Sequence, residues 1–162
     1  MRKVISNTTP LIGLADIACF DVLQKLYKEI MIPAAVHEEV KSEPARTLVR
    51  NSDFIHVYPV KDSQSRKMFS SRLHAGEVEV MLLAEEKQAD LLIMDDNAAK
   101  KTAKFLGYKV TGTLGILLKA KKEGHINAIK PLVEKLQETG FYVSPKVKQY
   151  VLEEANELVN RG

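Results

Sequence analysis

Short apolar runs alternate along the chain with longer stretches in which apolar residues recur at helical spacing. Val4-Ile5, Ile30-Met31-Ile32, Phe54-Ile55-His56-Val57-Tyr58, Leu91-Leu92-Ile93-Met94 and Tyr108-Lys109-Val110 read as strands. Each is short, β-compatible and bounded by polar residues or proline. Between them, Ala75 to Lys87, Asn97 to Leu106, Leu114 to Lys122 and Asn127 to Glu138 read as helices, and Pro33 opens another after the second strand. Strands alternating with helices predict an α/β fold, with an open parallel sheet covered on both faces. The chain has 162 residues, with no repeat, low-complexity tract or dividing linker. That predicts one domain over residues 1–162. Its last helix, 145–159, carries Val147, Tyr150, Val151, Leu152, Ala155, Leu158 and Val159, enough apolar surface to dock on the domain or on a partner.

Composition narrows the class. Hydrophobic residues make up 45% and charged residues 28%, an ordinary globular balance. The single cysteine, Cys19, excludes a disulfide framework and any multi-cysteine zinc site, and reads as a small buried hydrophobe beside Phe20. No apolar run approaches the roughly 18 residues that a membrane span needs, and the N-terminal apolar part is too short for a signal peptide. A cytoplasmic protein without a membrane partner is expected. The 24 basic and 21 acidic residues leave a net charge of +3, which permits nucleic-acid binding without arguing for it.

Sites in such sheets form beyond the C-terminal ends of the strands. Ser6-Asn7-Thr8-Thr9 follows the first strand, Asp95-Asp96-Asn97 the fourth and Thr111-Gly112-Thr113 the fifth. Hydroxyl, amide and carboxylate groups therefore gather at one edge. Helix capping accounts for Thr9, Thr113 and one of Asp96 and Asn97. It does not readily account for two adjacent aspartates together with an Asn-Thr-Thr run.

Two helical stretches bring further acids. At about 100° per residue, Val36 and Val40 mark the buried direction of one helix. On the same wheel Glu38 points away from the core and Glu39 sits roughly 80° from it, at the border of the apolar face. The stretch from Leu73 to Ala84 is apolar nearly all round, as in a helix buried on most sides. Glu77 and Glu79 lie near its start, where an acid meets the helix dipole. Glu77 also shares a face with Met81 and Ala84, and a carboxylate on an apolar face needs a partner, either protein or metal. If Glu39, Glu77 and Asp95 converge, their repulsion calls for protonation or a bridging cation. Oxygen ligands without a Cys or His cluster favour Mg²⁺ or Mn²⁺ over zinc.

These segments, in this order, resemble a PIN domain, the fold of many metal-dependent ribonucleases, including toxins of the VapC type. Val4-Ile5-Ser6-Asn7-Thr8-Thr9-Pro10-Leu11-Ile12 is similar to the family's first strand and its Asp-Thr-Ser/Asn. Ile32-Pro33, Val36 and Glu38-Glu39-Val40 resemble its second acid block. Ala75-Gly76-Glu77-Val78-Glu79 and Ala89 to Asp96 resemble the third and fourth. Val110-Thr111-Gly112-Thr113-Leu114-Gly115 and Gly140-Phe141-Tyr142-Val143-Ser144 resemble a prokaryotic PIN-like branch. The resemblance implies a three-layer α/β/α sandwich with a central, mostly parallel sheet. It implies a Mg²⁺- or Mn²⁺-dependent site acting on RNA. By position, Asn7, Glu39, Glu77 and Asp95 take the places of the four acids, with Asp96 competing for the last. Thr8 or Thr9 matches the hydroxyl residue near the site, Glu79 is a reserve acid, and Thr111 and Thr113 are accessory. Asn7 departs from the family's usual Asp; its amide brings no charge, which implies weaker metal binding.

Lys100, Lys101 and Lys104 follow the paired aspartates, either as a solvated helix face or as a rim that holds RNA phosphates. Tyr108 reads as strand packing or a base-stacking residue, and Phe141 and Tyr142 as a late core strand or its edge. The four histidines show no metal-ligand spacing. A Gly-x-Gly-x-x-Gly turn and a P-loop are absent, which excludes the dinucleotide-binding and P-loop classes. A receiver domain would want acids directly after its first strand. The expectation is a metal-dependent endoribonuclease, in the setting of a toxin with an antitoxin partner, forming a homodimer by family likeness. The alternative is an impaired relative that binds RNA or a protein partner.

Overall fold

The computed structural model describes residues 2–61, 66 and 73–158. Five strands, β1 (Val4–Ser6), β2 (Ile30–Pro33), β3 (Ile55–Tyr58), β4 (Leu91–Ile93) and β5 (Val110–Thr111), form one all-parallel sheet in the order β3-β2-β1-β4-β5. Every residue of β1 and β4 is buried, as expected for central strands covered on both faces, whereas β3 and β5 at the edges are only partly covered.

Among the described residues nine helices make the outer layers: α1 (Thr8–Asp16), α2 (Asp21–Tyr27), α3 (Ala34–Glu39), α4 (Ala45–Asn51), α5 (Ala75–Lys87), α6 (Asn97–Phe105), α7 (Thr113–Lys122), α8 (Lys130–Glu138) and α9 (Pro145–Glu154). The fold is a three-layer α/β/α sandwich. Helix α5 packs on β1 and β2 together with α3, while α1 and α2 pack on α7. Between Gly76 and Ala84 every residue but Glu79 is buried, which explains why α5 is apolar nearly all round. Cys19 is buried beside Phe20, whose ring lies 5.6 Å from that of Phe54. No helix among the described residues is long and apolar enough to cross a membrane.

Several boundaries differ from the sequence reading. The fifth strand is Val110–Thr111, beginning two residues and ending one residue later than expected, because Lys109 and Thr111 are the residues whose carbonyls bond β4 and Met94. Helix α8 starts at Lys130 rather than Asn127, with Pro131 in its first turn. The last helix stops at Glu154: Ala155 caps it and Asn156 turns to φ 59°, while residue 159 lies outside the described residues. Residues 140–143 form no strand, and Tyr142 is 83% exposed.

The connectivity fixes the site. From β1 the chain runs outward through β2 to β3, then returns to β4 beside β1 and continues to β5. The C-terminal ends of β1 and β4 therefore flank the switch point of the sheet, the usual crevice of an open α/β fold.

Candidate metal centre

The backbone N–H of Asn7, at the end of β1, donates to the Ile93 carbonyl at 2.8 Å and ties it to the end of β4. Asn7 rather than Thr9 caps α1: its Oδ1 accepts the Thr8 N–H at 2.9 Å. Thr9 is exposed, whereas the Thr8 hydroxyl donates to Glu39 Oε2 at 2.7 Å. Glu39 ends α3, and its other oxygen accepts the Gly76 N–H at 2.9 Å. A Cβ on Gly76 would stand 2.5 Å from one Glu39 oxygen and 2.8 Å from the other. The glycine is what lets the carboxylate reach the start of α5.

Glu77, in the first turn of α5, is 7% exposed. Its Oε1 accepts the His74 N–H at 3.0 Å, and among the described residues its second oxygen accepts no hydrogen bond. Burial pushes its carboxyl above the usual glutamate range, and the charges of Asp96 and Glu39 push it further; the His74 N–H opposes both. Glu79 does different work. Its Oε1 accepts the Ala35 N–H at 2.9 Å, its Oε2 stands 3.5 Å from Arg66, and it secures the start of α3.

The paired aspartates after β4 diverge. Asp96 caps α6, accepting the Ala99 N–H at 2.9 Å, and its charge acts on Glu77. Asp95 turns the other way. Both of its oxygens are held by Thr113, at 2.8 Å from the N–H and 2.7 Å from the hydroxyl. Burial raises the Asp95 carboxyl, and Thr113 and the Lys100 ammonium pull it only part of the way back. Thr113 is therefore the first residue of α7 and a donor to Asp95, not a cap; the N-cap position is Gly112. Thr111 ends β5, half-buried. Of the lysines, Lys100 is half-buried against Asp95 and Gly112, while Lys101 and Lys104 are exposed.

A family model described as PIN domain matches residues 3–157. The chain belongs to the PIN-domain family. No curated protein and no solved structure matches it. PIN domains are a nuclease-type fold and generally use divalent metal ions. The donors here suit such an ion in kind, being hard oxygens, with the charges of Asp96 and Glu39 raising the proton affinity of Glu77. They do not suit it in placement: among the described residues no three His, Cys, Asp or Glu side chains converge closely enough to hold a metal.

The sequence leaves open which of Asp95 and Asp96 takes the fourth place in this PIN domain, and the structure gives the two different partners. A usable signal was present. Asp96 lies three residues before Ala99, the spacing of an N-cap to N3, so one of its oxygens is committed to α6 and the carboxylate is held at the head of that helix.

Proposed function

We propose that the chain is a metal-dependent endoribonuclease of the PIN class. The observation that supports it is Glu77, a buried carboxylate with an oxygen to spare, facing the charges of Asp96 and Glu39. Glu39, Glu77 and Asp96 would hold Mg²⁺ or Mn²⁺, with Asn7 as a neutral ligand. Such an ion activates water and stabilises the oxygens of a phosphodiester displacement. The His74 N–H aims Glu77, the Ala99 N–H aims Asp96, and the Thr8 hydroxyl orients Glu39. Asp95, on this reading, positions the site from behind by fixing the start of α7 against the end of β4. Lys101 and Lys104 hold phosphates of the RNA. The biological setting is cytoplasmic, as the toxin of a toxin–antitoxin pair that forms a homodimer and is restrained by an antitoxin protein.

A second reading rests on Asn7. Its Oδ1 is already engaged by Thr8, and its amide brings no charge. A catalytically impaired protein that binds RNA or a protein partner would carry such a site. Asp is as good a helix cap as Asn, so Asn7→Asp keeps the fold. Cleavage of single-stranded and hairpin RNAs is measured with Mg²⁺, Mn²⁺ or chelator. Metal-dependent cleavage by the wild type, lost in Asp96→Asn, is the expected result. Cleavage only by Asn7→Asp favours the impaired reading, and silence in every variant sinks the nuclease.

A further inference from the structure

Phe105 closes α6 and is 90% exposed, the most exposed large hydrophobic side chain among the described residues. It has no core role. At about 100° per residue, the buried Ala99 and Ala103 mark the inward direction, and Phe105 lies roughly 140° from it. Ala98, Lys101 and Phe105, at spacings of three and four, form an outward stripe, flanked by Asn97 and Lys104; all five are exposed. Lys100 falls off this stripe, toward Asp95 and Gly112. The charge on the helix itself and on the turn after it has one sign. Residues 97–109 hold Lys100, Lys101, Lys104 and Lys109 and no acid. The stripe is also continuous with the acidic edge, since α6 begins at its cap, Asp96, and Phe105 stands about 14 Å further along the axis.

An aromatic ring set among lysines is a poor surface to leave in water and a good one for a flexible polyanion with flat bases. We propose that the outward stripe of α6 is a track for single-stranded RNA, in which Phe105 stacks on a base while Lys101 and Lys104 hold flanking phosphates and lead the strand to the acidic edge. The choice of RNA rests on the nuclease reading; the stacking role of Phe105 goes beyond it. Base–aromatic stacking tolerates any sequence, so the track selects unpaired RNA rather than a sequence.

The test uses the full chain and a short fluorescein-labelled oligouridine, with binding read by anisotropy in excess chelator so that cleavage plays no part. Phe105→Ala is expected to weaken binding about tenfold, the size of one base–aromatic stack, while Phe105→Trp restores it. The salt dependence of binding stays the same in Phe105→Ala and falls by about one phosphate contact in Lys101→Ala. Thermal midpoints stay level, because the ring touches no core. Wild-type chain that does not bind the strand overturns the track, as does Phe105→Ala that binds as tightly as wild type. Light scattering supplies a further contrary outcome, a dimer lost in Phe105→Ala with RNA affinity intact, which would make the stripe a contact between copies. Cleavage of the same RNA with Mg²⁺ or Mn²⁺ separates the two claims. Binding that depends on Phe105 without cleavage sinks the nuclease alone, and cleavage with binding indifferent to Phe105 sinks the track alone.

Discussion

Asp95 and Asp96 are neighbours in sequence and opposites in circumstance. Asp95 has a donor on each oxygen and an ammonium beside it. Asp96 has one helix N–H and a field of like charge shared with Glu77 and Glu39. Glu157, far from the site, belongs with Asp95: the Ile129 and Lys130 N–H groups and the Lys121 ammonium surround it. The difference teaches how to separate a clamp from a ligand. A carboxylate with a donor on each oxygen and an ammonium beside it holds the fold together, and one set among acidic neighbours without a cation is available to a metal ion.

The largest effect should come from the pair itself. Asp96→Asn or Glu77→Gln should lower metal-dependent RNA cleavage more than about 100-fold, because a charged ligand carries several kcal/mol of the stabilisation. Asp95→Asn should lose less than about tenfold. Asp95→Ala leaves the Thr113 donors unpaired and should cost about 2 kcal/mol, or roughly 5 °C of thermal midpoint. Equal rate losses at the two positions would erase the distinction.

Next come the glycines under the two carboxylates. Gly76→Ala meets the flexible end of Glu39, so it should displace that carboxylate and remove most cleavage with little change in melting. Gly112→Ala meets Asp95 Oδ1 at 2.6 Å and the Met94 carbonyl at 3.3 Å, one of them rigid backbone. It should cost about 2 kcal/mol of stability, within the range for overpacking. Denaturant titration beside a cleavage assay reads both.

How much of this was legible in advance follows the same line. The strands, the buried α5 and the border position of Glu39 are local consequences of periodicity, and the sequence displays them. The placement of Asn7 and the paired aspartates just beyond the C-terminal ends of β1 and β4 followed from parallel topology. What stayed hidden was non-local. Nothing near Glu79 in the chain announces that it serves Ala35, and Asp95 is claimed by Thr113 only because α7 starts beside β4. The end of α9 at Glu154 was hidden too, since the apolar pattern runs on while Asn156 turns the backbone. Phe105 was visible on a helical wheel all along, and a reading fixed on core positions passes over an aromatic on the wrong side.

A smaller effect tests the clamp rule away from the site. Burial alone would raise the Glu157 carboxyl, but the Ile129 and Lys130 N–H groups and Lys121 outweigh it and hold it below the usual range. Its contribution is therefore present above the ordinary glutamate range and lost as pH falls through the lowered value. Glu157→Gln should cost about 1 kcal/mol at neutral pH, and its unfolding curve should converge with that of wild type on acidification. A difference that persists at low pH would remove the charge from the explanation.

The smallest effect has the opposite sign. Glu77 is raised, so its native form holds a proton longer than the unfolded chain does, and stability declines as pH rises from the ordinary range through the raised value. Glu77→Gln keeps an oxygen for the His74 N–H and removes the charge. In chelator at neutral pH it should melt slightly above wild type, and added Mn²⁺ should stabilise wild type alone. A lower midpoint for the variant in chelator would return Glu77 to the clamps.

The position of β1 sets an order of events on the ribosome. Val4–Ser6 lies at the middle of the sheet, yet its second neighbour, Leu91–Ile93, leaves the exit tunnel long after the first, Ile30–Pro33. A growing chain can pair β1 with β2, and β2 with β3, while the other edge of β1 stays bare and open to wrong partners. Asn7 and Glu39 are in place by then, but Asp96 joins them only when β4 closes the gap. A half-made chain is thus incapable of the chemistry proposed for the whole, and the proposed catalytic edge is completed together with the sheet's central pairing.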